Sequence, residues 1–234
     1  MTDNSIRNIL DDLGPLYHSY AFFGVNNEQL TGHFQKNQIA KAQIISSYIA
    51  WAHAKVDEKF ESSVSFAELF CADGYYAMVA RSLGCYPVFG IDNNRDGYTD
   101  LAKTIASRLG LQQIEFVISD INNNAKLGTY DIVANVGGLY HTENPEEILQ
   151  LSYEMSNNYL IVQNVVSLAN TNNNYFETPA PGWTWGSRYS RESFDNLMQK
   201  KFDSKIIFHH FNELTGNSRL EDRGNSMYLI AKNT

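Results

Sequence analysis

Apolar residues along this chain fall into two rhythms. Short apolar runs near 64–70, 87–91, 114–118, 130–136 and 158–166 are bounded by Gly, Pro, Asn or Asp. Between them, the segments near 74–84, 96–110 and 144–156 repeat apolar residues at the three-to-four spacing of a helix with one buried side. Strands apolar on both faces need helices above and below, so the alternation predicts a mostly parallel sheet covered on both sides. Arg191–Lys201 predicts one more helix, and Lys205–Phe211 with Ser226–Ala231 a closing antiparallel edge pair. Two regions lie outside that alternation. Residues 1–55 predict a helix near 5–13, an aromatic stretch and an amphipathic helix near 35–55. Residues 167–189 predict a long loop rich in Asn, Pro, Gly and aromatics, and a loop of that length inside a compact domain is usually functional or disordered. Its Trp183, Trp185 and Tyr189 argue for function, because disordered segments are poor in aromatics.

Val64–Asp92 is the most informative stretch. It reads as an apolar strand, a tight turn at Cys71-Ala72-Asp73-Gly74, a helix, and a second strand ending in an acid. Such a turn sets backbone N–H groups and a helix N-terminus against a ligand. Asp92, eighteen positions after Gly74, is placed to accept both hydroxyls of a ribose. A dinucleotide would require G-x-G-x-x-G, because its pyrophosphate approaches bare backbone. Here Phe70 and Ala72 occupy the first two glycine positions and only Gly74 remains. A cofactor with a ribose and no pyrophosphate fits better, and S-adenosylmethionine is such a cofactor.

Further segments follow in order. Ile114–Ile121 is a strand passing into the acid Asp120, and Tyr130–His141 is a strand running through Gly137-Gly138 into Leu139-Tyr140-His141. Glu143-Asn144-Pro145-Glu146-Glu147 then opens a helix, with Pro and acids where a first turn tolerates them. Over roughly residues 60–166 this combination resembles the class I S-adenosylmethionine-dependent methyltransferases. The resemblance implies a Rossmann-like α/β fold with a mostly parallel seven-stranded sheet, an antiparallel edge pair and helices on both faces. It divides the chain into an N-terminal helical lid or substrate segment, 1–55, and a methyltransferase core, 56–234, with a substrate loop at 167–189. Within the superfamily the chain is similar to the wobble-uridine carboxymethyltransferases of tRNA and their small-molecule relatives. Phe22-Phe23-Gly24-Val25-Asn26 and Gly137-Gly138-Leu139-Tyr140-His141 carry that similarity.

Residue by residue, the resemblance puts Glu68 under the methionine amino group and wraps Phe70, Cys71, Ala72 and Gly74 around the methionine portion. Asp92 takes the ribose diol beside Asn93, Asp120 accepts from the adenine amine, and Ile121 packs on the ring. Asn135, Val136 and Gly137 floor the sulfonium next to Tyr140. One departure matters: the carboxymethylating enzymes carry a lysine shortly before Gly-Val-Asn, whereas Tyr17–Phe23 here contains no Lys or Arg. An unpaired buried carboxylate there would be costly, which favours ordinary S-adenosylmethionine.

The chain's 234 residues suit one α/β domain with embellishments. A formal charge of −8, with basic residues scattered, counts against a nucleic-acid partner and favours a small-molecule acceptor such as a metabolite of natural-product tailoring. Two cysteines, Cys71 in the turn and Cys85 after the next helix, suit unpaired thiols in a reducing cytoplasm. No signal peptide is evident in the polar N-terminus and no apolar run approaches a membrane span. Self-association into a homo-oligomer is compatible with the sequence and not specified by it.

His141 is the candidate base, with Tyr140 beside it. Methyl transfer from a sulfonium needs alignment and dryness, and a protonated nucleophile benefits from a base. The alternative is a His that only packs near the cofactor. Trp183, Trp185 and Arg188 suit a flat or anionic substrate, or pin the loop to the core. Tyr20 and Phe23 are expected to line the substrate from the N-terminal segment, or else to dock it. His18 and His33 are further groups that could approach the substrate, while His209-His210 read as structural. No metal-ligand spacing is present.

Overall fold

The computed structural model describes residues 9–32, 35–60, 63–121 and 127–232. In chain order the first elements are α1 (Gln35–Phe60), β1 (Phe66–Leu69), α2 (Tyr75–Ser82), β2 (Val88–Asp92), α3 (Thr99–Arg108) and β3 (Ile114–Ile118). There follow β4 (Tyr130–Val136), α4 (Pro145–Met155), β5 (Ser156–Val166), β6 (Phe176–Glu177), β7 (Arg188–Tyr189), α5 (Arg191–Phe202), β8 (Ile206–Glu213) and β9 (Gly224–Ala231).

Seven strands form one sheet in the order β3-β2-β1-β4-β5-β9-β8, and β9 alone runs antiparallel to its neighbours. β1 and β9 are buried along their whole length, as strands sandwiched between helices must be. Ile45, Ile49, Ala52 and Val56 of α1 share a core with α2, α3 and one sheet face. Ile148 and Leu149 of α4 with Phe194 and Met198 of α5 fill the other face. Each such side chain, fully buried, contributes about 1.5–3 kcal/mol. Helix starts follow local chemistry: Pro145 and two acids open α4, and Ser190 Oγ accepts the Ser193 N–H at 3.0 Å to cap α5.

The sheet and the helices on both faces match the sequence expectation. The ends differ in three places. Of the helix expected near 5–13, residues 1–8 lie outside the described residues, and Asp11–Leu13 form a single 3₁₀ turn ended by Gly14 at φ 72°. The boundary expected after residue 55 falls inside α1, whose apolar face joins Leu16 and Tyr20 to the same core as β1. Within 167–189 the chain forms a short antiparallel pair, β6 with β7, where Phe176 lies opposite Tyr189 with ring centroids 4.7 Å apart. Among the described residues no helix is long and apolar enough to cross a membrane.

Candidate active site

The strand order reverses between β1 and β4, and in an open α/β sheet the crevice at the carboxyl ends of such strands is where ligands bind. Glu68 ends there, 2% exposed, with Oε2 accepting the Ala77 N–H of α2 at 2.7 Å. Burial raises its pKa well above the usual carboxylate range, against the pull of the α2 N–H groups. It pairs with no Lys or Arg among the described residues. Asp92, ending β2, spans two loops: Oδ2 accepts from Ala72 N at 3.1 Å and Oδ1 from Asn94 N at 2.7 Å.

The turn between β1 and α2 explains how it works with one glycine. Phe70 and Ala72 hold φ of 57° and 47°, the left-handed region usual for glycine, so the loop keeps its shape while carrying side chains. Gly74 is not replaceable: at φ 80° its Cβ would lie 2.3 Å from the Phe116 ring. Cys71 is buried behind the turn, and burial pushes its thiol pKa up.

These elements wall a cavity of about 650 Å³. Its lining includes Glu68, Phe70, Ala72, Asp92 and Asn93 from β1, β2 and their loops, Asp120 and Ile121 after β3, and Val136, Gly137, Tyr140 and His141 at and after the end of β4. A second cavity of about 590 Å³ opens beyond, lined by Trp183, Trp185, Arg188 and Arg219 from one side and Asn37, Gln38 and Lys41 from α1. Both cavities share Tyr17, His18, Lys41, Asp96, Tyr98, Tyr140, His141 and Trp185, which form the opening between them.

That opening is tightly organised. His141 stacks on Trp185 with centroids 5.1 Å apart at 8°. Burial, then Arg188 and Lys41, bring its pKa down to about 4, so the ring is neutral near pH 7. Burial raises the Tyr140 phenol. His18 Nδ1 lies 2.5 Å from Asp73 Oδ1, and the His18 N–H donates to Asp73 Oδ2 at 3.0 Å. His18 also lines both cavities, so the pair places an imidazole held by a carboxylate at the opening. The first turn of α1 holds both flanking segments. Gln38 bonds the Ser19 backbone twice, each at 2.7 Å, and Asn37 bonds Gly216 N at 2.6 Å and Asn217 Oδ1 at 2.8 Å.

Several expected residues sit elsewhere. Asn135 is fully buried beneath the cofactor cavity, its amide accepting from Gly138 N and donating to Ser152 Oγ, so it braces the floor. Tyr20 and Phe23 do not border either cavity. Tyr20 is buried with its hydroxyl on Asp73 O at 3.1 Å, and Phe23 packs on Tyr75. Arg188 lines the second cavity but is spent on Asp222 at 2.7 Å, lying over the Tyr140 ring. His33 lies outside the described residues. Lys41 was not legible as a site residue, because a lysine on a helix carries no signal of where the fold delivers it, and Asp73, read as part of the cofactor turn, proves to hold His18.

The donor set fits S-adenosylmethionine: a buried carboxyl with no ion-pair partner among the described residues, a carboxylate anchoring two loops, and an acid next to an apolar side chain, all lining one cavity. Comparison with known proteins agrees. No curated protein matches the sequence. Among solved structures, the N-terminal domain of EvdMO1 with SAH bound is similar at 16% identity and TM-score 0.61, over 95% of this chain and 93% of that one. Magnesium protoporphyrin IX methyltransferase (ChlM) from Synechocystis PCC 6803 with bound SAH is similar at 15% identity and TM-score 0.61, over 97% and 99%. Coclaurine N-methyltransferase is similar at 14% identity and TM-score 0.57, over 79% and 72%. A family model described as a methyltransferase domain matches residues 60–213, and the chain belongs to that family as an S-adenosylmethionine-dependent methyltransferase.

Proposed function

We propose that the protein transfers the methyl group of S-adenosylmethionine to an oxygen or nitrogen atom of a small-molecule metabolite, in natural-product tailoring. The observation that carries this reading is the pair of cavities meeting at one opening, one suited to the cofactor and one walled by aromatics. The printed names of two similar structures, coclaurine N-methyltransferase and magnesium protoporphyrin IX methyltransferase, support a small-molecule acceptor. A net charge of −8 supports it against a nucleic acid. Two free, buried cysteines are in keeping with a cytoplasmic setting.

When bound, the cofactor supplies an electrophilic methyl on a sulfonium. The residues contribute orientation, dryness and proton transfer. We assign Glu68 to the cofactor's ammonium, Asp92 with Asn93 to the ribose, Asp120 and Ile121 to the adenine, and Val136 and Gly137 to the floor. Tyr140 and His141 orient the acceptor, the neutral His141 ring accepting a hydrogen bond. For an acceptor that arrives protonated, His18 Nε2 takes the proton while Asp73 stabilises the imidazolium. Calorimetric titration with S-adenosylmethionine and with S-adenosylhomocysteine tests the reading. Binding on the order of micromolar, lost in Asp92→Ala, is expected. Folded protein that binds neither ligand overturns it.

A further inference from the structure

The cations around the second cavity are unequally employed. Arg188 is committed to Asp222, and Arg219 donates to Pro181 O while lying 3.8 and 3.6 Å from Glu221 and Asp222. Lys41 is different. It projects from α1 into the opening that both cavities share, and it has no hydrogen-bond or carboxylate partner among the described residues. Its surroundings desolvate it enough to bring its pKa down to about 8, with Glu68 felt only as an opposing attraction. An ammonium left partly desolvated costs stability, and a fold that keeps it there holds a ready counter-charge for an anion. Asp96, the acid that borders the same opening, is exposed to solvent.

We propose that Lys41 anchors an anionic oxygen of the acceptor, which is a flat aromatic acid lying along Trp185 and His141 with its carboxylate at the opening. This rests on the methyl-transfer reading and gives its substrate class. A carboxylate there completes the missing ion pair. A protonated amine would instead stand beside two positive charges, Lys41 and the cofactor's sulfonium. The aromatic part finds Trp183 and Trp185 with ring centroids 5.1 Å apart, backed by the His141–Trp185 stack.

The test uses protein saturated with S-adenosylhomocysteine and three probes of one shape: benzoate, benzamide and benzylamine, titrated calorimetrically. Benzoate is expected to bind about ten-fold or more tightly than either other probe, the difference of one charge-assisted hydrogen bond. Lys41→Met is expected to erase that preference, and Lys41→Arg, which keeps the charge, to retain it. Benzoate binding no tighter than benzylamine, or a preference that survives in Lys41→Met, overturns the proposal. The wild-type comparison decides alone if a variant fails to fold. Failure of S-adenosylhomocysteine itself to bind is the separate result that sinks the methyltransferase reading.

Discussion

Two titratable groups at the opening are held away from their ordinary values, and each makes a stability prediction. His141 is neutral in the folded chain because its pKa is brought from 6.5 to about 4 by burial and by Arg188. The unfolded chain therefore takes up a proton first as pH falls, so this contribution is fully present above 6.5 and lost down to about 4. Urea unfolding at pH 6.5 and at pH 4 should show wild type losing more stability than His141→Phe, which keeps a ring against Trp185. Lys41 has the same direction at higher pH, its folded value about 8 against 10.5. At pH 7 the charged form is disfavoured by folding, so Lys41→Met should gain about 1–2 kcal/mol, read as a rise in Tm. A residue conserving charge at a cost to folding is what a binding role predicts. The acids at 68, 92 and 120 were readable in the sequence because each follows an apolar run, and strand ends line the crevice of a parallel sheet. Lys41 was not readable, since its placement depends on where α1 docks.

At the scale of elements, the 167–189 segment is a built wall for the second cavity. Ser187 N donates to Tyr140 O at 3.1 Å, and Arg188 reaches Asp222 under the Tyr140 ring. Gly186 lets this happen: at φ 71° its Cβ would lie 2.4 Å from Tyr140 O. The loop's length and tryptophans were legible. Its β6–β7 pair was not, because two-residue strands among Asn, Pro and Gly carry no alternation. Tyr20 and Phe23 carried both readings for a related reason: aromatics in a docking segment and aromatics in a lid look identical in sequence. Arg188→Met is expected to leave Asp222 with Arg219 alone, 3.6 Å away, and to cost about 1–3 kcal/mol. Limited proteolysis should then cut within 167–189 faster than in wild type. Equal cleavage rates would mean the ion pair does not hold the wall.

Over the whole molecule, cofactor binding couples the sheet core to proton balance through Glu68. In the free protein this carboxyl is buried, its pKa well above the usual range, with donors from α2 on one side and no ion-pair partner among the described residues. A cofactor ammonium beside it favours the ionised form and pulls the pKa down. A group whose pKa falls on binding gives up its proton, so S-adenosylhomocysteine should bind with proton release at pH values above the ordinary carboxylate value of 4.5 and below the raised one. Calorimetry at one pH in phosphate and in imidazole buffer measures this directly, because the two buffers differ in the heat of taking up that proton. The difference should vanish in Glu68→Gln, which keeps the side chain's shape and cannot ionise. The same ligand binds only the folded chain, so at about a hundred times its Kd it should add about 2.7 kcal/mol and raise Tm by about 5–10 °C. Asp92→Ala should lose the thermal shift, since that carboxylate is the group assigned to the ribose and it ties together the loops at Ala72 and Asn94. A thermal shift with no buffer dependence would place the cofactor in the cavity and remove Glu68 from its ammonium, leaving the ribose end as the anchor.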